Sequence, residues 1–93
     1  MEERYYTVEV VCRRASLTPA VVQRYTRLGF IQPSARRGRQ ALYSEADLAR
    51  LRKIVRLTRD LGLNLAGVEV VLHLTDAIDA LQREMAALRK EES

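Results

Sequence analysis

Helix start and stop signals lie close together in the first third of the chain, which restricts this part to short helices. Thr18 followed by Pro19 predicts a helix start, because the threonine hydroxyl can accept a bond from a free amide and proline needs no partner at the first helical position. Gly29 predicts the end of this helix, which therefore runs from Pro19 to about Leu28. Its predicted inner face consists of Val21, Val22, Tyr25 and Leu28.

A shorter amphipathic segment precedes this helix. Thr7 is the predicted N-cap of a first helix from Val8 to about Ala15, in which Val8, Val11 and Cys12 share one apolar face. Two helices of about two turns, joined by a short connection, are the outline of a helix-turn-helix. Other small helical bundles show the same outline, so the outline alone does not identify a DNA-binding motif.

The next segment predicts a small hairpin and then a third helix. Phe30-Ile31, a basic Gly-containing turn at 34–40 and the apolar run 41–43 give the hairpin, with the two apolar stretches as its strands. Ser44 and Asp47 have the spacing of a capping box, which predicts a helix from Glu45 to about Leu61, closed by Gly62. Its predicted inward residues are Leu48, Leu51, Ile54 or Val55, and Leu61.

The last third of the chain predicts one more helix, capped by Asn64, with a narrow apolar strip. The strip follows spacings of 3, 4, 3, 4 and 3, which are those of a heptad seam. Its members are Val71, Leu74, Ile78, Leu81, Met85 and Leu88. A second copy, the chain's own core or another protein could cover the strip, and we expect a two-fold homodimer. This reading divides the chain into a domain at 1–73 and an interaction helix at 74–93.

The charges of the chain are unevenly distributed. The segment 13–59 carries twelve Arg or Lys against two acids, whereas the flanking segments are net acidic, which predicts an anionic partner for the basic segment. Cys12 is the only cysteine and is expected to be a buried, inert thiol, and His73 is the only histidine. We find no catalytic or metal-binding constellation. We therefore expect a cytoplasmic binding protein without enzyme activity, metal, cofactor or membrane span.

Several stretches resemble the MerR-type regulators: 6–11 (YTVEVV), 24–33 (RYTRLGFIQP) and 42–51 (LYSEADLARL). The resemblance covers about residues 5 to 90 and implies a mainly α fold, a winged helix-turn-helix followed by a coiled-coil-type helix. The stretch 60–72 (DLGLNLAGVEVVL) is similar to two chaperone-linked branches. One is the heat-shock repressor HspR, which binds operators of chaperone genes. The other is the chaperone modulator CbpM, which binds the J-domain of a DnaJ-like co-chaperone and inhibits its action with DnaK.

The resemblance implies that helix 19–28 enters the major groove of double-stranded DNA and that the wing at 34–40 follows the backbone. The residues expected to contact DNA are Arg13, Arg14, Gln23, Arg24, Arg27, Arg36, Arg37, Arg39 and Tyr43. Two positions depart from the DNA-binding pattern, since Gln23 and Ala41 stand where these regulators usually carry arginine. The adaptor for a J-domain therefore remains the alternative, with the acidic residues Glu69, Asp76 and Asp79 as its contact surface.

Overall fold

The computed structural model describes residues 4–92, which form four α-helices and one two-stranded sheet. These residues divide into two compact units, one up to Gly62 and the other from Leu63 onward. The first three residues of the predicted 1–73 domain, and the last residue of the predicted 74–93 helix, lie outside the described range. The mainly α architecture with a small β wing, expected from the sequence, is confirmed.

The first unit opens with the predicted helix-turn-helix, α1 (Val8–Ala15) and α2 (Pro19–Arg27). Thr18 caps α2, since its hydroxyl accepts a 3.3 Å hydrogen bond from the Val21 amide. Thr7 is the N-cap of α1 by backbone geometry, although its side chain makes no capping bond. The expectation that Leu28 lies on the inner face of α2 was wrong. Leu28 is 46% exposed, because α2 ends at Arg27 and the chain turns away at Gly29 with φ +80°.

The wing is an antiparallel hairpin of β1 (Ala35–Arg37) and β2 (Gln40–Leu42). The expected position of its first strand was wrong. Phe30 and Ile31 are buried in the core, and the basic stretch supplies strand β1 instead of the turn. The turn itself contains only Gly38 and Arg39. Gly38 has φ +60° in its first position, as a two-residue type II′ hairpin turn requires.

Helix α3 (Glu45–Val55) begins with the predicted capping box. The Ser44 hydroxyl accepts from the Asp47 amide at 3.1 Å, and the Asp47 carboxylate accepts from the Ser44 amide at 2.8 Å. The helix then widens into a π-helical turn at Arg56–Asp60, which ends before Leu61. Because this turn shifts the angular positions of later side chains, the expectation that Leu61 faces inward was wrong. Leu61 is 68% exposed, whereas Leu57 is buried.

The core of the first unit forms where α1 packs on both α2 and α3. Leu48, Leu51 and Ile54 of α3 are almost fully buried there, together with Val11 and Val22 from the first two helices. The residues before α1 are tied to the end of the wing by an antiparallel bridge. In it, the Tyr6 amide donates to the Tyr43 carbonyl at 2.7 Å and the Tyr43 amide donates to the Tyr6 carbonyl at 2.8 Å. The core thus fixes the helix-turn-helix, and the bridge holds the wing.

The second unit is essentially one long helix, α4 (Leu65–Glu92). Asn64 caps it, as predicted, by accepting a 2.8 Å hydrogen bond from the Gly67 amide. Val68 and Leu72 are its buried residues. Five members of the apolar strip are between 51% and 58% exposed: Leu74, Ile78, Leu81, Met85 and Leu88. Val71, the first member, is half-buried.

Candidate nucleic-acid interface

The outward face of α2 is polar and basic. Val22 and Tyr25 point into the core, so the helical period leaves Gln23, Arg24 and Arg27 on the opposite side, where all three are exposed. A glutamine amide can donate and accept hydrogen bonds, and a guanidinium offers a planar fork of donors. This face therefore has the groups needed to contact base edges or phosphates.

A groove of about 310 Å³ separates this helix from the wing. Gln23, Thr26 and Arg27 of α2 form one side, and Arg36, Ala41 and Tyr43 form the wing side. Pro33 also lines it, in the passage from the helix to the hairpin. The structure thus brings together four of the residues expected to bind DNA, namely Gln23, Arg27, Arg36 and Tyr43. It also places both departures from the DNA-binding pattern, Gln23 and Ala41, in this same groove.

Tyr43 forms a nearly buried part of the groove wall. Its side chain is 4% exposed and interacts with the Thr26 side chain. Burial raises the pKa of the Tyr43 hydroxyl, although the interaction with Thr26 and the charge of Arg36 oppose this effect. Tyr43 therefore stays neutral and joins the wing to α2.

The remaining arginines of the wing face other directions. Arg36 and Arg37 are neighbours in β1, so their side chains point to opposite faces of the hairpin, and only Arg36 lines the groove. Arg37 pairs across the hairpin with Gln40, and Arg39 lies in the turn. All three arginines are exposed. The wing therefore presents positive charge on both faces and at its tip.

Arg13 and Arg14 lie in the last turn of α1, and neither lines the groove. Both are exposed. The Arg14 guanidinium lies over the Tyr6 ring, 4.9 Å from its centroid, which is a cation–π contact. These two residues, like Arg24, are separate from the cluster that the groove brings together.

Three arginines of the helix that follows the wing have a structural role that sequence reasoning missed. Arg50 Nε donates to the Phe30 carbonyl at 2.5 Å, and Arg59 Nη2 donates to the Ser16 carbonyl at 2.6 Å. Arg52 Nε donates to the Arg14 carbonyl at 3.4 Å. These partners are backbone atoms 20 to 43 residues away in sequence, and no local pattern indicates them.

The other residues singled out in the sequence form no second site in the described part of the chain. Cys12 is buried, and burial, with a smaller effect of Glu9, raises the pKa of its thiol. Residues 4–92 contain no group of three or more His, Cys, Asp or Glu side chains able to hold a metal ion. None of the helices in this range is long and apolar enough to cross a membrane.

Comparison with known proteins identifies the family of the chain. The sequence model of the family described as MerR HTH family regulatory protein matches residues 6–90. The chain belongs to the MerR family. This MerR-family chain is also 34% identical, over 83 residues, to a Streptomyces coelicolor protein named heat shock protein HspR. The match covers 89% of this chain and 55% of the relative, so the chain spans about half the length of that protein. The MerR family is one of regulators and not a class of enzymes.

Proposed function

We propose that this protein is a dimeric transcriptional regulator that binds double-stranded DNA and represses chaperone or heat-shock genes in the cytoplasm. The observation that carries the proposal is the groove between α2 and the wing, where Gln23 and Arg27 face Arg36. Helix α2 would enter the major groove, and the wing would lie along the adjacent backbone. The similarity to a protein named as a heat shock protein supports this choice of target genes.

The contacts proposed within this arrangement follow from the chemistry of the side chains. Gln23 would bind a base edge, adenine being the usual partner of glutamine, and Arg24 and Arg27 would bind base edges or phosphates. Arg13, Arg14, Arg36, Arg37 and Arg39 would bind phosphates, since guanidinium groups pair well with phosphate oxygens. Tyr43 would support this surface from the groove wall.

The direct test is a titration of the protein against promoter DNA of a neighbouring chaperone operon at several salt concentrations. If about six phosphates are neutralised per dimer, the slope of log K against log salt should be near −5. Arg24→Ala combined with Arg27→Ala should abolish specific retardation of the DNA. The matched control is Arg83→Ala with Lys90→Ala, which removes two exposed charges from α4. No retention of DNA at low salt, or a flat salt response, would exclude the proposal.

The exposed strip of α4 supports the dimeric state. Five large apolar side chains lie on one helical face with more than half of each exposed. Such a strip is buried when two helices pack along a heptad seam. A two-fold dimer would also present two α2 helices to two half-sites of an operator.

The adaptor for a J-domain is a second candidate, and two observations favour it. Gln23 and Ala41 leave the groove with only Arg27 and Arg36 as charged side chains. Glu69, Asp76 and Asp79 are exposed on α4, where they could attract a basic helix of a co-chaperone. This candidate predicts nuclease-resistant capture of a DnaJ-type protein. Excess protein should also lower the DnaJ-dependent stimulation of the DnaK ATPase, and an unchanged ATPase rate would exclude it.

A further inference from the structure

The base of the wing is hydrogen-bonded to the start of α3. Ser34, the residue before β1, donates from its hydroxyl to Asp47 Oδ2 at 2.5 Å, and its hydroxyl oxygen lies 3.1 Å from Ser44 Oγ. Asp47 Oδ2 also accepts from the Ser44 amide, so one carboxylate oxygen binds residues on both sides of the hairpin. The Ser34 amide closes the hairpin by donating to the Leu42 carbonyl at 3.0 Å. We call Ser34, Ser44 and Asp47 the wing base.

The passage from α2 to the wing is held at its other end by the same turn of α3. Arg50, three residues after Asp47, donates through Nε to the Phe30 carbonyl. Residues three apart lie on one face of a helix. A single turn of α3 therefore binds both ends of the segment 30–34, which joins α2 to the hairpin.

These bonds hold the hairpin at a set distance from α2, which the two short strands cannot do by themselves. The hairpin has three-residue strands, and an isolated hairpin of two such strands is not stable. Its position relative to α2 must therefore come from its attachments. From these contacts we propose that Asp47 and Arg50 are positioning residues that, together with Tyr43 directly after β2, set the width of the groove between α2 and the wing. Neither Asp47 nor Arg50 lines that groove, and both bind protein atoms, the Asp47 carboxylate the Ser34 hydroxyl and the Arg50 Nε the Phe30 carbonyl. Their effect on DNA affinity would therefore come from the position of the wing.

The inference rests on the proposed function, and the Ser34→Ala variant tests the position of the wing separately from DNA binding. This variant removes the bond from the wing to Asp47 but leaves the Ser44–Asp47 capping box in place. We expect the Ser34 amide, which is bonded to the Leu42 carbonyl, and the hydrogen-bonded amides of strands 35–37 and 40–42 to exchange hydrogen about fivefold faster than in the parent protein. The Val22 amide, bonded to Thr18 in α2, is the internal control and should not change.

DNA affinity gives the second readout. Ser34→Ala should raise the Kd for promoter DNA about fivefold without changing the salt slope, because no charged contact between protein and DNA is removed. Ser34→Thr keeps the hydroxyl and should restore both the exchange rates and the affinity. Arg50→Lys keeps the charge but loses the guanidinium fork, so it should resemble Ser34→Ala.

Each outcome decides a separate point. Unchanged hydrogen exchange in Ser34→Ala would show that Asp47 does not hold the wing, and would overturn the inference. Faster exchange with unchanged affinity would show that the wing position does not govern binding, which also overturns it. Lower affinity without faster exchange would overturn it too, by assigning Ser34 a direct contact with DNA. If the parent protein binds no DNA, the proposed function fails, and the exchange rates alone decide whether the wing base positions the hairpin.

Discussion

Ile78→Asp is the sharpest test of the dimer, because Ile78 lies in the middle of the exposed strip of α4. The side chain is 51% exposed, so a partner helix would remove about half of its surface from water. Full burial of an isoleucine contributes about 1.5 to 3 kcal/mol, so half of it contributes about 1 kcal/mol per copy. In a two-fold dimer both copies change, and the loss is about 2 kcal/mol before any cost of the new charge.

This loss corresponds to a rise of about 30-fold in the dimer Kd, since about 1.4 kcal/mol is a factor of ten. An aspartate facing the apolar strip adds a desolvation cost, so about 30-fold is a lower bound. Sedimentation equilibrium, or light scattering over a dilution series, measures the constant directly. The matched control is Ala80→Asp, which places the same charge on an exposed position two residues along the helix and off the strip.

Ile78→Asp should be a monomer at concentrations where the parent protein and Ala80→Asp are dimers. An unchanged Kd in Ile78→Asp would show that the strip is not the dimer contact. A parent protein that is monomeric at high concentration would show that something other than a second copy covers the strip.

Three further outcomes follow from the first unit. Leu51→Ala should lower the free energy of unfolding by about 2 to 5 kcal/mol in denaturant titrations, because Leu51 is fully buried; a loss below about 1 kcal/mol would contradict this packing. Cys12 should resist thiol reagents at neutral pH until the protein unfolds, since burial raises its pKa, and rapid labelling of the folded protein would refute this. The folded state raises the pKa of Tyr43, so the stability it contributes is complete below the unfolded value of about 10 and is lost as pH rises through the higher folded value. Tyr43→Phe should flatten that alkaline loss in thermal melts, and an equally steep loss in the variant would refute it.

The helix starts could be predicted because they depend on neighbouring residues. Thr18, Asn64 and the Ser44–Asp47 pair each cap a helix by binding an amide three residues away, so the signal lies within four positions of the sequence. The exposed strip of α4 could be predicted for the same reason, as it follows from helical period alone.

The features that sequence reasoning missed depend on distant atoms. Strand β1 forms from a basic stretch because its partner is the strand after Gly38 and because Phe30 is needed in the core. The π-helical turn depends on an i to i−5 bond from the Leu61 amide to the Arg56 carbonyl, which competes with ordinary helical bonds.

The candidate site also combines features that the local sequence predicts with features that depend on distant residues. The exposed face with Gln23 and Arg27 follows from the period of α2, and the positive charge of Arg36 is evident in the sequence. That these residues share one groove with Ala41 and Tyr43 depends on the path of the chain from α2 through the wing, which no local signal specifies.

The arginines that donate to backbone carbonyls have a practical consequence for handling the protein. Arg50 and Arg59 join a charge to a neutral dipole, so dissolved ions screen these bonds less than they screen contacts with a polyanion. Under the proposed function, concentrated salt should therefore release bound nucleic acid during purification while residues 4–62 stay folded. Ionic strength would then reversibly control the fraction of protein with bound nucleic acid, without changing the thermal stability of the fold.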